Sequence, residues 1–159
     1  MLKLLTRTII CWAITGLGLA LAEDTISIEA AWVRSAPPTV NVMAGYLRLI
    51  NHSPNNVTVN RISSLQFERV EVHRSVIHEG MMHMEKVESL TLTGHQQLVF
   101  EPGGYHLMLI APHQPLARGA NVSLALEFDH GEKLMIETLV KDGPEEDSMG
   151  QHGSSHHQH

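Results

Sequence analysis

Apolar and polar positions alternate along most of the chain. The clearest run spans residues 120–128, where Val122, Leu124, Leu126 and Phe128 fall on every second position. Successive side chains of a strand point to opposite faces, so this period predicts a half-buried β-strand. The same reasoning, with β-branched enrichment and turn punctuation, predicts strands over 26–34, 44–50, 57–63, 69–78, 82–87, 90–92, 97–100, 105–110 and 133–140. Pro37-Pro38, Asn51-His52-Ser53-Pro54 and Pro102-Gly103-Gly104 interrupt the alternation, and Asp129-His130-Gly131-Glu132 reads as a hairpin turn. No helical period longer than about two turns follows the first 22 residues, and no segment repeats at a fixed spacing. Many short strands joined by Gly- and Pro-containing turns predict an all-β sandwich or barrel.

The two ends differ from this body. Lys3 and Arg7 precede an apolar run from Thr8 to Ala22, and Ala20-Leu21-Ala22 gives a small-x-small cleavage pattern before Glu23-Asp24. That is the layout of a cleavable export signal over residues 1–22, and the run is short for a membrane span of about 20 residues. Stable membrane insertion after cleavage is therefore not expected. A folded domain is expected over 23–141. Residues 142–159 carry charge, Gly, Ser, Met149 and four histidines without an apolar pattern, which predicts a flexible tail.

Composition sharpens the picture. The chain has 159 residues, 43% hydrophobic, with only 18% charged, so it can bury a core as one domain. Its net charge of −6 becomes more negative once Lys3 and Arg7 leave with the signal. An acidic body argues against nucleic acid, whose phosphates reward basic surfaces. The single cysteine, Cys11, lies in the signal, so the mature domain has no disulfide and no thiolate. Against this stand 12 His and 8 Met, a bias toward the side chains that bind metals, Met suiting soft ones.

The candidate chemistry lies in the middle and at the end of the domain. Ten residues separate His73 from Met84, 21 separate Met84 from His106, and one separates His106 from Met108. Positions i and i+2 of a strand share a face, so His106 and Met108 present an imidazole and a thioether side by side, and Met82 and Met84 pair likewise. Two imidazoles with two thioethers form a soft, neutral set that favours copper(I) over zinc, calcium or magnesium. Neutral ligands leave bound copper(I) cationic, which places the site near the surface. Met82 is read as core or as an auxiliary ligand, and Met43 and Met135 as packing. His152, His156, His157 and His159 of the tail are auxiliary candidates for transient copper(II) or zinc.

The spacing His73-x10-Met84-x21-His106-x-Met108 resembles the PCu(A)C family of periplasmic copper chaperones. So do Ala31-Trp32-Val33-Arg34, Ala44-Gly45-Tyr46, Val70-Glu71-Val72-His73, Gly80-Met81-Met82-His83-Met84 and Pro102-Gly103-Gly104-Tyr105-His106-Leu107-Met108. The similarity runs from about residue 25 to 141. It implies a cupredoxin-like Greek-key β-barrel or sandwich, a periplasmic location and copper(I) held by the four residues. It also implies delivery toward the dinuclear copper centre of cytochrome c oxidase subunit II, beside thiol-containing Sco-type proteins.

Other functions fit less well. Blue-copper electron transfer needs a cysteine thiolate, which the mature chain lacks. No paired carboxylates or nucleophile–base set suggests an enzyme. His78-Glu79-Gly80-Met81-Met82-His83 superficially resembles a zinc-protease motif, but its histidines are five apart rather than four, in a segment that reads as strand. A His-rich copper or zinc buffer centred on the tail is the alternative to a carrier.

Overall fold

A computed structural model describes residues 25–143 of the protein. The expected export signal and nearly all of the expected tail, including its histidines, lie outside the described residues. Ten strands follow in chain order: β1 (Ile26–Arg34), β2 (Val42–Asn51), β3 (Val57–Ser64), β4 (Phe67–His78), β5 (Met81–Lys86), β6 (Leu90–Leu92), β7 (Gln97–Phe100), β8 (Tyr105–Pro112), β9 (Asn121–Phe128) and β10 (Lys133–Lys141). The all-β expectation holds, and every expected strand is present with its ends shifted by at most two residues.

The strands form one continuous sheet in the order β5-β4-β8-β7-β2-β1-β10-β9-β3-β6. Most neighbours are antiparallel, whereas β1 with β10 and β7 with β8 run parallel. The sheet curls on itself so that β3 comes to face β4 without pairing with it. This seam holds a groove of about 380 Å³ lined by Arg61, Arg69, Glu71, Lys86 and Glu88, among others.

Alternation sets which residues fill the interior. Met43, Leu47 and Leu49 of β2, Val72 of β4, Leu107 and Leu109 of β8, and Val122, Leu124, Leu126 and Phe128 of β9 belong to one apolar core. Each fully buried aliphatic side chain contributes about 1.5–3 kcal/mol. A one-residue slip would expel the whole set, so the core fixes the register. In β1 the parity changes at a bulge between Glu29 and Trp32, where Ala30 has φ of 49°. Ile26 and Ile28 face the core before it and Ala31 and Val33 after it, which turns Trp32 outward.

Two methionine readings are corrected. Met43 does pack in the core, but Met135 is 66% exposed. It pairs with Ala125 on the outer face of β10, whose inner positions are taken by Leu134 and Ile136. Met82 is likewise exposed and is not a core residue.

Candidate metal site

The four candidate ligands come from three adjacent strands, with β4 between β5 and β8. His73 lies directly opposite His106 across the β4–β8 pair. Met108, two residues beyond His106, lies opposite Glu71, two residues before His73. On the other side of β4, Met84 lies opposite Ser75, two residues after His73. Directly paired residues and their i±2 neighbours share a face. All four therefore occupy the outer face of the sheet, opposite the face on which Val72, Leu107 and Leu109 are buried. The two imidazoles form the centre, with ring centroids 6.0 Å apart, and the thioethers lie at opposite diagonals.

The same alternation that anchors β8 in the core presents its alternate residues here. His106, Leu107, Met108 and Leu109 read out, in, out, in, and both leucines are fully buried. The outer face is not equally open everywhere. His106 is only 7% exposed and His73 is half-buried, whereas Met84 is 63% exposed on the edge strand. Ala44 of β2 lies opposite Met108, and Tyr46, on the same face, packs against Trp32 with ring centroids 4.7 Å apart. Trp32 and Tyr46 are buried yet lie outside the main apolar core. They form an aromatic floor beside the β8 end of the site. The candidate thioether on the β5 side is thus open to solvent, while the imidazoles are sheltered.

Hydrogen bonding engages one ring nitrogen of each imidazole. His106 Nδ1 is 3.2 Å from the carbonyl oxygen of Gly104 and donates to it, which leaves Nε2 as the nitrogen available to an ion. His73 Nε2 donates to the Glu71 carboxylate at 3.0 Å. Its Nδ1 is buried without any partner, an arrangement that costs free energy unless something occupies it. A carboxylate on one imidazole nitrogen and a free lone pair on the other is the arrangement that orients metal-binding histidines. Glu71 also meets Arg69 Nε at 3.3 Å and Lys86 Nζ at 3.7 Å. The hydrogen bond from His73 chiefly holds the Glu71 carboxyl below the ordinary glutamate range, against the opposing effect of burial and with help from Lys86 and Arg69. Among the described residues, no three His, Cys, Asp or Glu side chains form a group that could hold a metal. A metal held here needs the thioethers, which restricts the arrangement to soft ions.

Glu71, Trp32 and Tyr46 stand in the sequence only within the motifs that carry the resemblance, with no role assigned to them there. Glu71 has the parity of His73, so alternation within β4 is the signal that finds it, whereas the Trp32–Tyr46 pair depends on strand pairing and on the β1 bulge, which alternation does not show. His152, His156, His157 and His159 lie outside the described residues.

The LpqE-like family model matches residues 26–140. The uncharacterized protein RP573 of Rickettsia prowazekii is 28% identical over 131 residues, covering 77% of this chain and 71% of that protein. The copper-bound PCuAC domain from PmoF2 superposes with a TM-score of 0.63 at 18% identity, covering 75% of this chain and 94% of that domain, a likeness of fold. The solution structure of CuI-DR1885 from Deinococcus radiodurans gives 0.61 at 26% identity, covering 77% and 82%.

Proposed function

The chain belongs to the LpqE-like family and has the PCuAC cupredoxin-like fold, and from that premise we propose that it is an exported copper chaperone. It holds one copper(I) ion on the outer face of β4, β5 and β8 through His73, Met84, His106 and Met108. The observation that carries this reading is the pairing of His73 with His106 at 6.0 Å, with the buried Nδ1 of His73 left unpartnered and thioethers on both diagonals. The CuI-DR1885 structure, at 26% identity, supports copper(I) as the cargo. The apolar start of the chain supports export to the periplasm.

The chemistry suits carriage. Neutral thioethers and imidazoles bind copper(I) without the thiolate that an oxidising compartment would convert to a disulfide. Met oxidises only to a reducible sulfoxide. Met84, on the exposed edge strand, is the ligand an incoming protein reaches first. Displacing it opens the coordination shell while the two sheltered imidazoles still hold the ion. The recipient on this reading is the dinuclear copper centre of cytochrome c oxidase subunit II, with a Sco-type thiol protein beside it, as the family resemblance implies.

The test is copper(I) competition with a chromophoric chelator under anaerobic conditions on residues 23–159. One tight equivalent that survives deletion of residues 142–159 and is lost in His106→Ala/Met108→Ala is the expected result. Tight binding that follows the tail and ignores the double substitution would overturn the site and make the protein a His-rich metal buffer.

A further inference from the structure

The β4–β5 hairpin extends beyond the core, and all six residues of β5 are exposed. Its turn is Glu79-Gly80, with φ of 51° and 78°, and the last pair is His78 with Met81. Positive φ at both central residues is the two-residue type I′ turn that matches the twist of the flanking strands. The register is thereby fixed at Ser75–Met84, Val76–His83, Ile77–Met82 and His78–Met81.

Parity divides these residues between two faces. Ser75, Ile77, Met82 and Met84 share the face of His73. Val76, His78, Met81 and His83 share the opposite face. The ring contact agrees, because the His78 and His83 centroids are 6.3 Å apart with planes at 62°. A metal–imidazole bond of about 2 Å puts two rings that share an ion about 6 Å apart, so this pair needs only small side-chain rotation to do so. Met81 lies directly opposite His78 and is exposed, packing against no core residue. Arg74 and Glu85, which also lie on this face, are paired with each other at 3.4 Å. His130 and His52 differ in that carboxylates or a hydroxyl occupy their rings.

We infer that His78, Met81 and His83 form a second, solvent-exposed copper(I) site on the reverse face of the hairpin. Two imidazoles and one thioether make a neutral, soft, three-coordinate set that prefers copper(I) to zinc. Met81-Met82-His83-Met84 then serves both faces of one ribbon, with Met82 and Met84 facing the sheltered site and Met81 and His83 facing the exposed one. The exposed set lacks a carboxylate that orients its imidazoles, so it binds more weakly than the first. This site goes beyond the chaperone reading, since it requires neither His73 nor His106.

The probe is copper(I) alone, added anaerobically to the full mature chain past saturation of the first site, with NMR following the imidazole Hε1 and methionine methyl resonances. The expected result is a first phase that moves His73, His106 and Met108, and a later phase that moves His78, His83 and Met81 together. His78→Gln/Met81→Leu/His83→Gln removes that later phase and one weak equivalent while the first phase is kept. The substituted residues are exposed, so the fold is retained. If His78, His83 and Met81 stay unmoved throughout the titration while His106 moves, the second site does not exist. If neither His73 nor His106 moves, the four-residue reading fails independently of the hairpin.

Discussion

Glu71→Gln is the substitution that most directly tests how the site is prepared. It keeps the shape of the side chain and removes one negative charge. The native carboxylate accepts from His73 Nε2 at 3.0 Å, which keeps the proton on that nitrogen and the lone pair on Nδ1. It also balances Arg69 and Lys86, at 3.3 and 3.7 Å. With glutamine, the imidazole loses its charged acceptor, and Arg69 and Lys86 keep only the exposed Glu68 and Glu88 as carboxylate partners. Across the hydrogen bond, the ring and a metal bond, the carboxylate lies about 7 Å from an ion on Nδ1. At an effective dielectric of about 20 its charge is worth about 2.4 kcal/mol to that ion, an upper value because the two cations partly cancel it. Loss of an oriented outer partner typically weakens metal binding by about 10- to 100-fold. That corresponds to about 1.4–2.7 kcal/mol, so both routes give the same size. Anaerobic copper(I) competition on wild type and variant measures the ratio, and a thermal melt of the metal-free forms checks the fold. An affinity within about twofold of wild type in a folded variant would refute the argument that Glu71 orients His73.

The metal-free protein gives an independent check on the same group. The Glu71 carboxyl is held below the ordinary glutamate range, first by the hydrogen bond from His73. A depressed carboxyl contributes stability above its unfolded-state value and loses it as pH falls through the folded one. Glu71→Gln therefore loses less stability than wild type on acidification, and denaturant midpoints across that acid range read the difference.

Three further predictions concern the fold that supports the site. Asn51 is buried, its Nδ2 donating to the carbonyls of Asn55 and Thr93 at 2.7 and 3.0 Å and its Oδ1 accepting from Ser53 N at 3.0 Å, so Asn51→Ala is expected to cost about 1–3 kcal/mol in chemical denaturation. A Cβ on Gly94 meets the backbone carbonyl of Pro54, which cannot swing aside as a side chain can, so Gly94→Ala is expected to cost about 1–3 kcal/mol by the same assay. Hydrogen bonds to Glu132 and then Asp129 raise the pKa of His130, so its contribution is complete below the unfolded histidine value of about 6.5 and fades as pH rises through the folded value. NMR titration is expected to place the His130 midpoint above that of an unfolded histidine, and His130→Gln to remove the difference in stability between acid and neutral pH.

Local alternation made the strands legible because each core residue had to recur on every second position. Val122, Leu124, Leu126 and Phe128 announce β9, and they are all buried in it. The shared face of His106 and Met108 was legible for the same reason, since they alternate with the buried Leu107 and Leu109. Alternation is a property of one strand at a time, and it says nothing about which strands lie together. That is why the sequence could pair His106 with Met108 but could not show that His73 stands opposite His106. Bulges defeat it too: the extra residue at Ala30 reverses the parity of β1 and sends Trp32 to the outer face, against Tyr46. Met135 was misread because its strand has a solvent face that tolerates an apolar side chain.

Edge position is the remaining determinant. In β5 both faces are exposed, so burial imposes no alternation, and a run such as Met81-Met82-His83-Met84 carries no period that marks which side chain faces which way. The two-residue turn at Glu79-Gly80 supplies what burial does not, because its geometry dictates the pairing of every residue behind it. A substitution that loosens this turn is thus expected to disturb Met84 on one face and His83 on the other together, although it touches neither. Gly80 has φ of 78°, and a Cβ there meets no atom within 4 Å, so Gly80→Val acts through backbone strain rather than collision. Amide exchange confined to β5 and the end of β4, with the core strands unchanged, is the expected signature. Copper(I) affinity should fall in the same variant, through loss of Met84 from the shared face. A variant with a frayed hairpin and undiminished affinity would show that the thioether of Met84 is not needed to hold the ion.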